Sequence, residues 1–448
     1  MIGSPSRAVV LGWEFPPHIS GGLGTACYGL TQGLSRLGAE ILFALPRPAS
    51  SHTASHLRLL AERPGASPTP GNPGSLSTWP GFHVRPLDVV LSPYAASTRP
   101  NLAAAEAATP SQASRSTPAG ATRSETSASG SEHYGCDLFS EVRRYVQVVS
   151  AMAAGETFDV VHAHDWMTFP AAAAVAECAG KPLVVHVHST EFDRCGDGVN
   201  QAVYEIEREG MRRADRVITV SQFTKRICIA RYGVPEDKVA VVYNAVACNG
   251  DSCGMPKLDP ADRIVLFLGR ITMQKGPEYF LAAARKVLEK VPEAKFVMAG
   301  DGDQFRRTVE LAAGMGIGHR VLFAGFLRGD DVARAFRMAA VYVMPSVSEP
   351  FGIAPLEALA HGVPVIISKQ SGVAEVLTHA LKVDFWDTSE MANKIISVLM
   401  RPVLRETLRE NGSREVRKFD WLQAAQRCLD VYLGLLAAPK FRAQPCVA

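Results

Sequence analysis

No two cysteines in this 448-residue sequence form a CxxC pair; the nine are scattered singly at 27, 136, 178, 195, 228, 248, 253, 428 and 446. An odd, dispersed set reads as reduced thiols and excludes a disulfide framework. Runs of ~18 consecutive apolar residues are missing too, so no membrane span is expected. The first apolar run, Ala8-Val9-Val10-Leu11, falls short of the ~7–15-residue core of a signal peptide and has no cleavage signature behind it. Charge of one sign is not in excess: 47 Lys and Arg face 44 Asp and Glu, a net +3. A nucleic-acid partner, which needs a basic excess or stripe, is therefore not expected. These absences indicate a cytoplasmic address, and none of them speaks against a peripheral membrane contact. Two phosphate motifs are absent as well. Without GxxxxGK[ST] there is no P-loop, and without GxGxxG behind a strand there is no dinucleotide fingerprint.

Hydrophobic residues make 47% of the chain and charged residues 20%, which excludes a wholly disordered protein. At ~150 residues per domain, the length implies two or three domains with sizeable cores. Short apolar runs alternate with amphipathic stretches. Strands are expected at Arg7–Leu11, Ile41–Ala44, Val160-Val161, Leu183–Val187, Arg216–Val220 and Val239–Tyr243. Thr25–Leu37 and Cys136–Ala151 have helical spacing; in the second, Leu138, Phe139, Val142, Tyr145, Val146 and Val149 make one stripe. The pattern restarts with strands at Ile264–Gly269, Lys295–Ala299, Val321–Ala324, Val341–Met344 and Pro364–Ile367. Helices are expected between them at Pro277–Lys290, Gln304–Ala313, Asp330–Met338 and Ile353–Ala360. Continuous apolar strands between helices mean a parallel sheet covered on both faces. Doing this twice predicts an α/β protein of two doubly wound domains, 1–250 and 251–420, with their boundary in the Gly-, Asp-, Pro- and Cys-rich stretch Ala247–Asp262. A last helix, Trp421–Leu436, begins a terminal segment 421–448, and its apolar stripe needs a partner. Residues 93–132, loaded with Ala, Ser, Thr and Pro, predict a disordered insertion in the first domain.

Open parallel sheets bind ligands beyond the carboxyl ends of their strands, so the loops there hold the candidates. Ser20-Gly21-Gly22-Leu23-Gly24 precedes a helix; its backbone can approach a phosphate, or it is simply a flexible cap. His162-Ala163-His164-Asp165-Trp166 ends a strand, and His186 and His188 end another. Three readings stand side by side: a metal site, a neutral polar pair facing a sugar or phosphate, or structural histidines bonded to backbone. Arg270 and Lys275 flank a helix start; two cations and a helix dipole neutralise a diphosphate without a metal, while the plainer reading is two solvated side chains. Glu349 lies in a loop and Glu357 in a helix among Leu356, Ala358 and Leu359. A carboxylate there is costly unless paired, and two such acids suit the hydroxyls of a sugar and a ribose. Asp301-Gly302-Asp303 is read as a turn, and His188, Glu191 and Asp193 as residues that could face an acceptor.

In this order along the chain the motifs resemble the retaining nucleotide-sugar glycosyltransferases of the glycogen-synthase and sucrose-phosphate-synthase kind (glycosyl transferases group 1, family 4 type). The likeness spans nearly the whole chain, from Trp13-Glu14-Phe15-Pro16-Pro17 to Phe419-Asp420-Trp421. Its strongest part is the E-x7-E pattern from Glu349 to Glu357, together with Arg270 and Lys275. The resemblance implies two facing Rossmann-like domains, the GT-B fold, with the acceptor on the first, the donor on the second, and the last helix crossing back to the first. Arg270 and Lys275 would hold the donor diphosphate. Gly21 and Gly22 would offer backbone N–H groups to it. Glu349 would bind the sugar hydroxyls and Glu357 the ribose. His164 would stand near the reacting sugar, and Phe351-Gly352-Ile353 would supply further amides. Catalysis would rest on His164, Arg270, Lys275 and Glu349, with no metal and no cofactor, the nucleotide sugar being a substrate.

The resemblance further implies transfer of a hexose, with glucose expected, from an ADP- or UDP-sugar to a growing α-glucan, with retention at the anomeric carbon. One departure is Ile19, where bacterial glycogen synthases carry Lys; it favours the broader group that acts on lipid, polysaccharide or small-sugar acceptors. Two readings of other classes stand beside it: a metal-dependent hydrolase built on His162, His164, His186 and His188, and a non-catalytic sugar-nucleotide-binding protein.

Overall fold

The apolar runs become parallel strands. The computed structural model describes residues 6–16, 21–46, 56–60, 138–247 and 263–438. The expected insertion at 93–132 and nearly all of the expected boundary stretch lie outside these residues. The first unit runs β1 (Arg7–Leu11), α1 (Gly22–Arg36), β2 (Glu40–Ala44), β3 (Arg58–Leu60), α2 (Leu138–Ala153), β4 (Val160–His164), α3 (Phe169–Ala179), β5 (Leu183–Val187), α4 (Glu191–Cys195), α5 (Gln201–Arg213), β6 (Arg216–Thr219), α6 (Gln222–Tyr232) and β7 (Val239–Val241). The second runs β8 (Ile264–Leu268), α7 (Pro277–Leu288), β9 (Lys295–Ala299), α8 (Phe305–Gly314), β10 (Val321–Gly325), α9 (Asp330–Met338), β11 (Val341–Met344), α10 (Ile353–Ala360), β12 (Val365–Ser368), β13 (Leu381–Val383), α11 (Thr388–Met400) and α12 (Pro402–Glu415), after which comes α13 (Trp421–Ala437).

The sheet orders are β3-β2-β1-β4-β5-β6-β7 and β10-β9-β8-β11-β12-β13, parallel throughout. Both contain the doubly wound order in which the chain starts centrally, builds one edge, then returns to build the other. Side chains alternate across β1. Val9 and Leu11 enter a core with α2, α3 and α5; Ala8 and Val10 enter another with α1 and α13.

The last helix thus packs on the first domain. Its seat is made by glycine: a Cβ on Gly29 would stand 2.2 Å from the Trp421 ring, and one on Gly33 would stand 2.6 Å from the Trp421 carbonyl oxygen. Cys428 and Tyr432 continue the contact, both fully buried. Between the domains, Ser221 caps α6 and donates its hydroxyl to the Pro350 carbonyl at 2.6 Å. The Gln222 N–H donates to Glu375 at 2.9 Å.

Candidate active site

Each sheet has one point where the winding reverses, between β1 and β4 and between β8 and β11. Loops leaving adjacent strands there diverge and open a crevice. The two crevices merge into one cleft of about 590 Å³. The loop after β1 brings Glu14 and Gly21 to its wall, and the loop after β4 brings Asp165. From the second domain come Arg270, after β8, and Glu349, after β11.

Two helices begin on this wall. α1 starts behind Gly21 and α10 behind Gly352; neither has a side-chain cap or an acid in its first turn. A helix start carries unsatisfied N–H groups and about half a positive charge. These starts face each other, since a Cβ on Gly22 would lie 4.0 Å from the Ile353 Cδ1. Gly352 has φ 100, which a side chain rarely tolerates, and a Cβ there would also press on Met344 and Glu349 at 3.2–3.3 Å. The aligned amides, together with Arg270 and Lys275, make this part of the cleft a receptor for an anion.

Lys275 and Glu349 hold each other, with Nζ 2.6 Å from Oε2. The same carboxylate oxygen accepts from the Ser346 hydroxyl at 3.1 Å. The backbone of Glu349 is fixed on both sides: its N–H donates to the Gln370 carbonyl and its carbonyl accepts from Gly372, each at 2.9 Å. Lys275 thus stands against a carboxylate, and the second oxygen of Glu349 is left for other donors. Glu357 lines the same cleft from α10, and burial pushes its carboxyl up to about 7.

On the first-domain side, Asp165 has φ 61, the non-glycine residue with positive φ among those described. Such a conformation costs ~1–3 kcal/mol and persists only where surroundings enforce it. Its Oδ1 accepts from the N–H of His188 at 2.7 Å and of Ser189 at 3.3 Å. Burial raises this carboxyl to about 7, against the opposing pull of Arg194 and the two N–H bonds. Burial likewise holds the His188 imidazole neutral, lowered to about 3.

Residues 256–415 match the family model for glycosyl transferases group 1, and residues 129–249 match that for glycosyltransferase family 4. Over 301 residues, 64% of this chain and 70% of its relative, the sequence is 30% identical to a glycogen synthase of Mycobacterium tuberculosis. The chain is a group 1 glycosyltransferase. This transferase is also 28% identical to an uncharacterized glycosyltransferase of Methanocaldococcus jannaschii, across 95% of this chain and 97% of that one. Two solved structures share its GT-B fold. Sucrose-phosphate synthase from Thermosynechococcus elongatus has a TM-score of 0.70 at 19% identity, over 96% of this chain and 99% of that one. Anabaena HepE in complex with UDP-glucose has a TM-score of 0.65 at 17% identity, over 96% and 100%.

Of the residues singled out in the sequence, Gly21, Gly22, His188, Arg270, Lys275, Glu349, Phe351, Gly352, Ile353 and Glu357 all line the transferase's cleft. Three do not. His164 is wholly buried, and its Nδ1 lies 2.8 Å from the Nε2 of His188, so it reaches the cleft through that ring. Glu191 and Asp193, expected to face an acceptor, are interior residues. Glu191 is fully buried, accepts from Arg194 at 2.9 Å and from the Asn200 N–H at 3.1 Å. Asp193 accepts from the N–H and hydroxyl of Thr190, the N-cap of α4, and from the Ser348 hydroxyl of the second domain at 2.6 Å. Their work is to build a loop and join two domains. Other wall residues of the transferase, Glu14, Asn244 and Arg328, had no role in the sequence reading. No helix among the described residues is long and apolar enough to cross a membrane.

Proposed function

We propose that the protein is a retaining glycosyltransferase that moves a hexose, glucose, from an ADP- or UDP-sugar to the end of a growing α-glucan, without a metal or cofactor in the chemical step. The observation that carries this is the anion receptor between the domains, where two uncapped helix starts meet Arg270 and Lys275 while Glu349 and Glu357 stand to either side. The UDP-glucose of HepE and the glycogen-synthase relative support the donor and acceptor assignments.

In this reading the C1–O bond to the β-phosphate breaks first, through an oxocarbenium-like state. The charge growing on the leaving phosphate is met by Arg270, Lys275 and the amides of Gly22 and Ile353, which is the largest catalytic contribution. The acceptor hydroxyl attacks from the face the phosphate leaves, and its proton passes to a phosphate oxygen. Domain closure excludes water and limits hydrolysis. Ile19 supports a second reading of the acceptor as a lipid-linked, polysaccharide or small sugar.

A donor panel of ADP-, UDP- and GDP-sugars, each with and without glycogen, tests the proposal through nucleoside diphosphate release. Release from one ADP- or UDP-glucose donor that rises with glycogen is expected. Release that needs another acceptor selects the second reading. No release from any donor contradicts transfer from a nucleotide sugar.

A further inference from the structure

Behind the cleft wall, four imidazoles fill the interior of the first domain. His162 and His164 belong to β4, His186 to β5, and His188 follows β5. They share the parity of Val160 and Val184, so they enter the sheet face covered by α1 and α13. Ring centroids are 4.4 Å apart for His162 and His164, 5.1 Å for His164 and His186, and 5.4 Å for His162 and His186.

Most buried polar atoms have a partner, because leaving one unpaired is costly. Here four ring nitrogens have none among the described residues: Nε2 of His162, Nε2 of His164, and both nitrogens of His186. All three side chains are at most 1% exposed. Each offers one ligand atom, and those atoms lie within 4.8 Å of one another. The other nitrogens of His162 and His164 each have a partner. His162 Nδ1 lies 2.5 Å from the Tyr432 hydroxyl, and His164 Nδ1 lies 2.8 Å from His188 Nε2. For His162 and His164 this matches the outer partner of a metal-bound histidine, one ring nitrogen held and the other turned to the ion; His186 has no such partner among the described residues.

We propose that His162, His164 and His186 together bind one transition-metal ion of the zinc class. Three neutral imidazoles favour zinc, cobalt, nickel or copper over magnesium or calcium, which require oxygen ligands. With Zn–N at ~2.0–2.1 Å, tetrahedral ligands stand ~3.4 Å apart, so the rings draw together by small side-chain rotations when the ion enters. The ion sits outside the anion receptor. It joins β4 and β5 to α13 through Tyr432, and it fixes the ring of His164 and thereby that of His188 on the cleft wall. Its role is structural, and transfer chemistry at Arg270 and Lys275 does not pass through it. The competing occupant is a cluster of buried waters bridging the same nitrogens.

The test uses the full chain, stripped by chelator dialysis and then titrated with Co2+ and with Zn2+. One equivalent of Co2+ is expected to bind with visible d–d bands, Zn2+ is expected to displace it, and the zinc form is expected to unfold at higher temperature. X-ray absorption on the zinc-loaded wild type is expected to count three imidazole nitrogens at ~2.0–2.1 Å. His162→Gln and His186→Asn, checked for folding by circular dichroism, are expected to weaken Co2+ binding at least tenfold, while Lys275→Ala binds it as wild type does. A wild-type protein with no saturable Co2+ band and no thermal shift overturns the proposal in favour of water. So does a zinc shell without imidazoles, or a folded His186→Asn that binds as wild type.

Discussion

At the scale of single residues, the proposed donor site is built from side chains that hold one another. Lys275 is the pivot, because its ammonium neutralises a Glu349 carboxylate that is only 7% exposed. Lys275→Ala removes a cation from the growing phosphate charge and is expected to lower kcat/KM ~10²–10³-fold, as loss of one preorganised donor does. Steady-state assay of a folded variant checks this. Glu357 makes a pH prediction. Its carboxyl titrates at about 7 in the fold against an ordinary 4.5, so the folded chain holds this proton more tightly than the unfolded one. The stabilising contribution is complete below about 4.5 and is lost as pH rises toward 7. Glu357→Gln is therefore expected to gain about 1–2 kcal/mol at pH 8, less than the full shift because the side chain opens onto the cleft, and to gain little at pH 4. Urea unfolding at the two pH values measures the difference. Glu349, Glu357, Arg270 and Lys275 stand out in the sequence through a motif pattern shared with a known family, and the fold brings all four to one cleft. The misplacement of Glu191 and Asp193 has the opposite cause: a buried acid and a surface acid look alike in sequence, and only Arg194, Asn200 and Ser348 reveal the difference. Asp165 had no expected role, and its left-handed backbone depends on contacts with the loop after β5.

At the scale of elements, most strands and several helices could be read, α10 with its observed bounds, while α5 and α11 were not expected although each buries one face. α2 has a single apolar stripe and was expected within two residues of its ends. α3 is buried along Phe169–Ala176, so it shows no polar face for periodicity to reveal. β3 and β13 are three residues long and each carries a basic residue, Arg58 and Lys382, so neither makes an apolar run, whereas the equally short β7 is wholly apolar and was expected. α1 begins at Gly22, before the expected Thr25, because its first turn is glycine-rich and open to the cleft. The seat of α13 on α1 depends on missing side chains. Gly33→Ala places a Cβ 2.6 Å from the Trp421 carbonyl oxygen and 2.7 Å from Ala425. Overpacking of this kind costs ~1–3 kcal/mol, and a lower melting temperature with faster proteolysis of the last helix is expected. A melting temperature equal to wild type contradicts this account of the seat.

At the scale of the whole molecule, two doubly wound sheets followed from the alternation of apolar runs and helices, since that pattern has few solutions. How the sheets meet did not follow, because it depends on polar contacts between residues distant in sequence. Ser348 to Asp193 and Ser221 to Pro350 tie the second domain to the first beside the cleft. Ser348→Ala leaves a buried carboxylate oxygen without that hydroxyl and is expected to cost about 1–2 kcal/mol in urea unfolding. In the proposed function a nucleoside diphosphate sits between the domains with its phosphates on Arg270, Lys275 and two helix starts. Calorimetric titration of wild type and a folded Lys275→Ala with ADP and UDP, in metal-free buffer, tests it most directly. One diphosphate is expected to bind wild type at a single site and Lys275→Ala at least tenfold more weakly; equal binding to both contradicts the account.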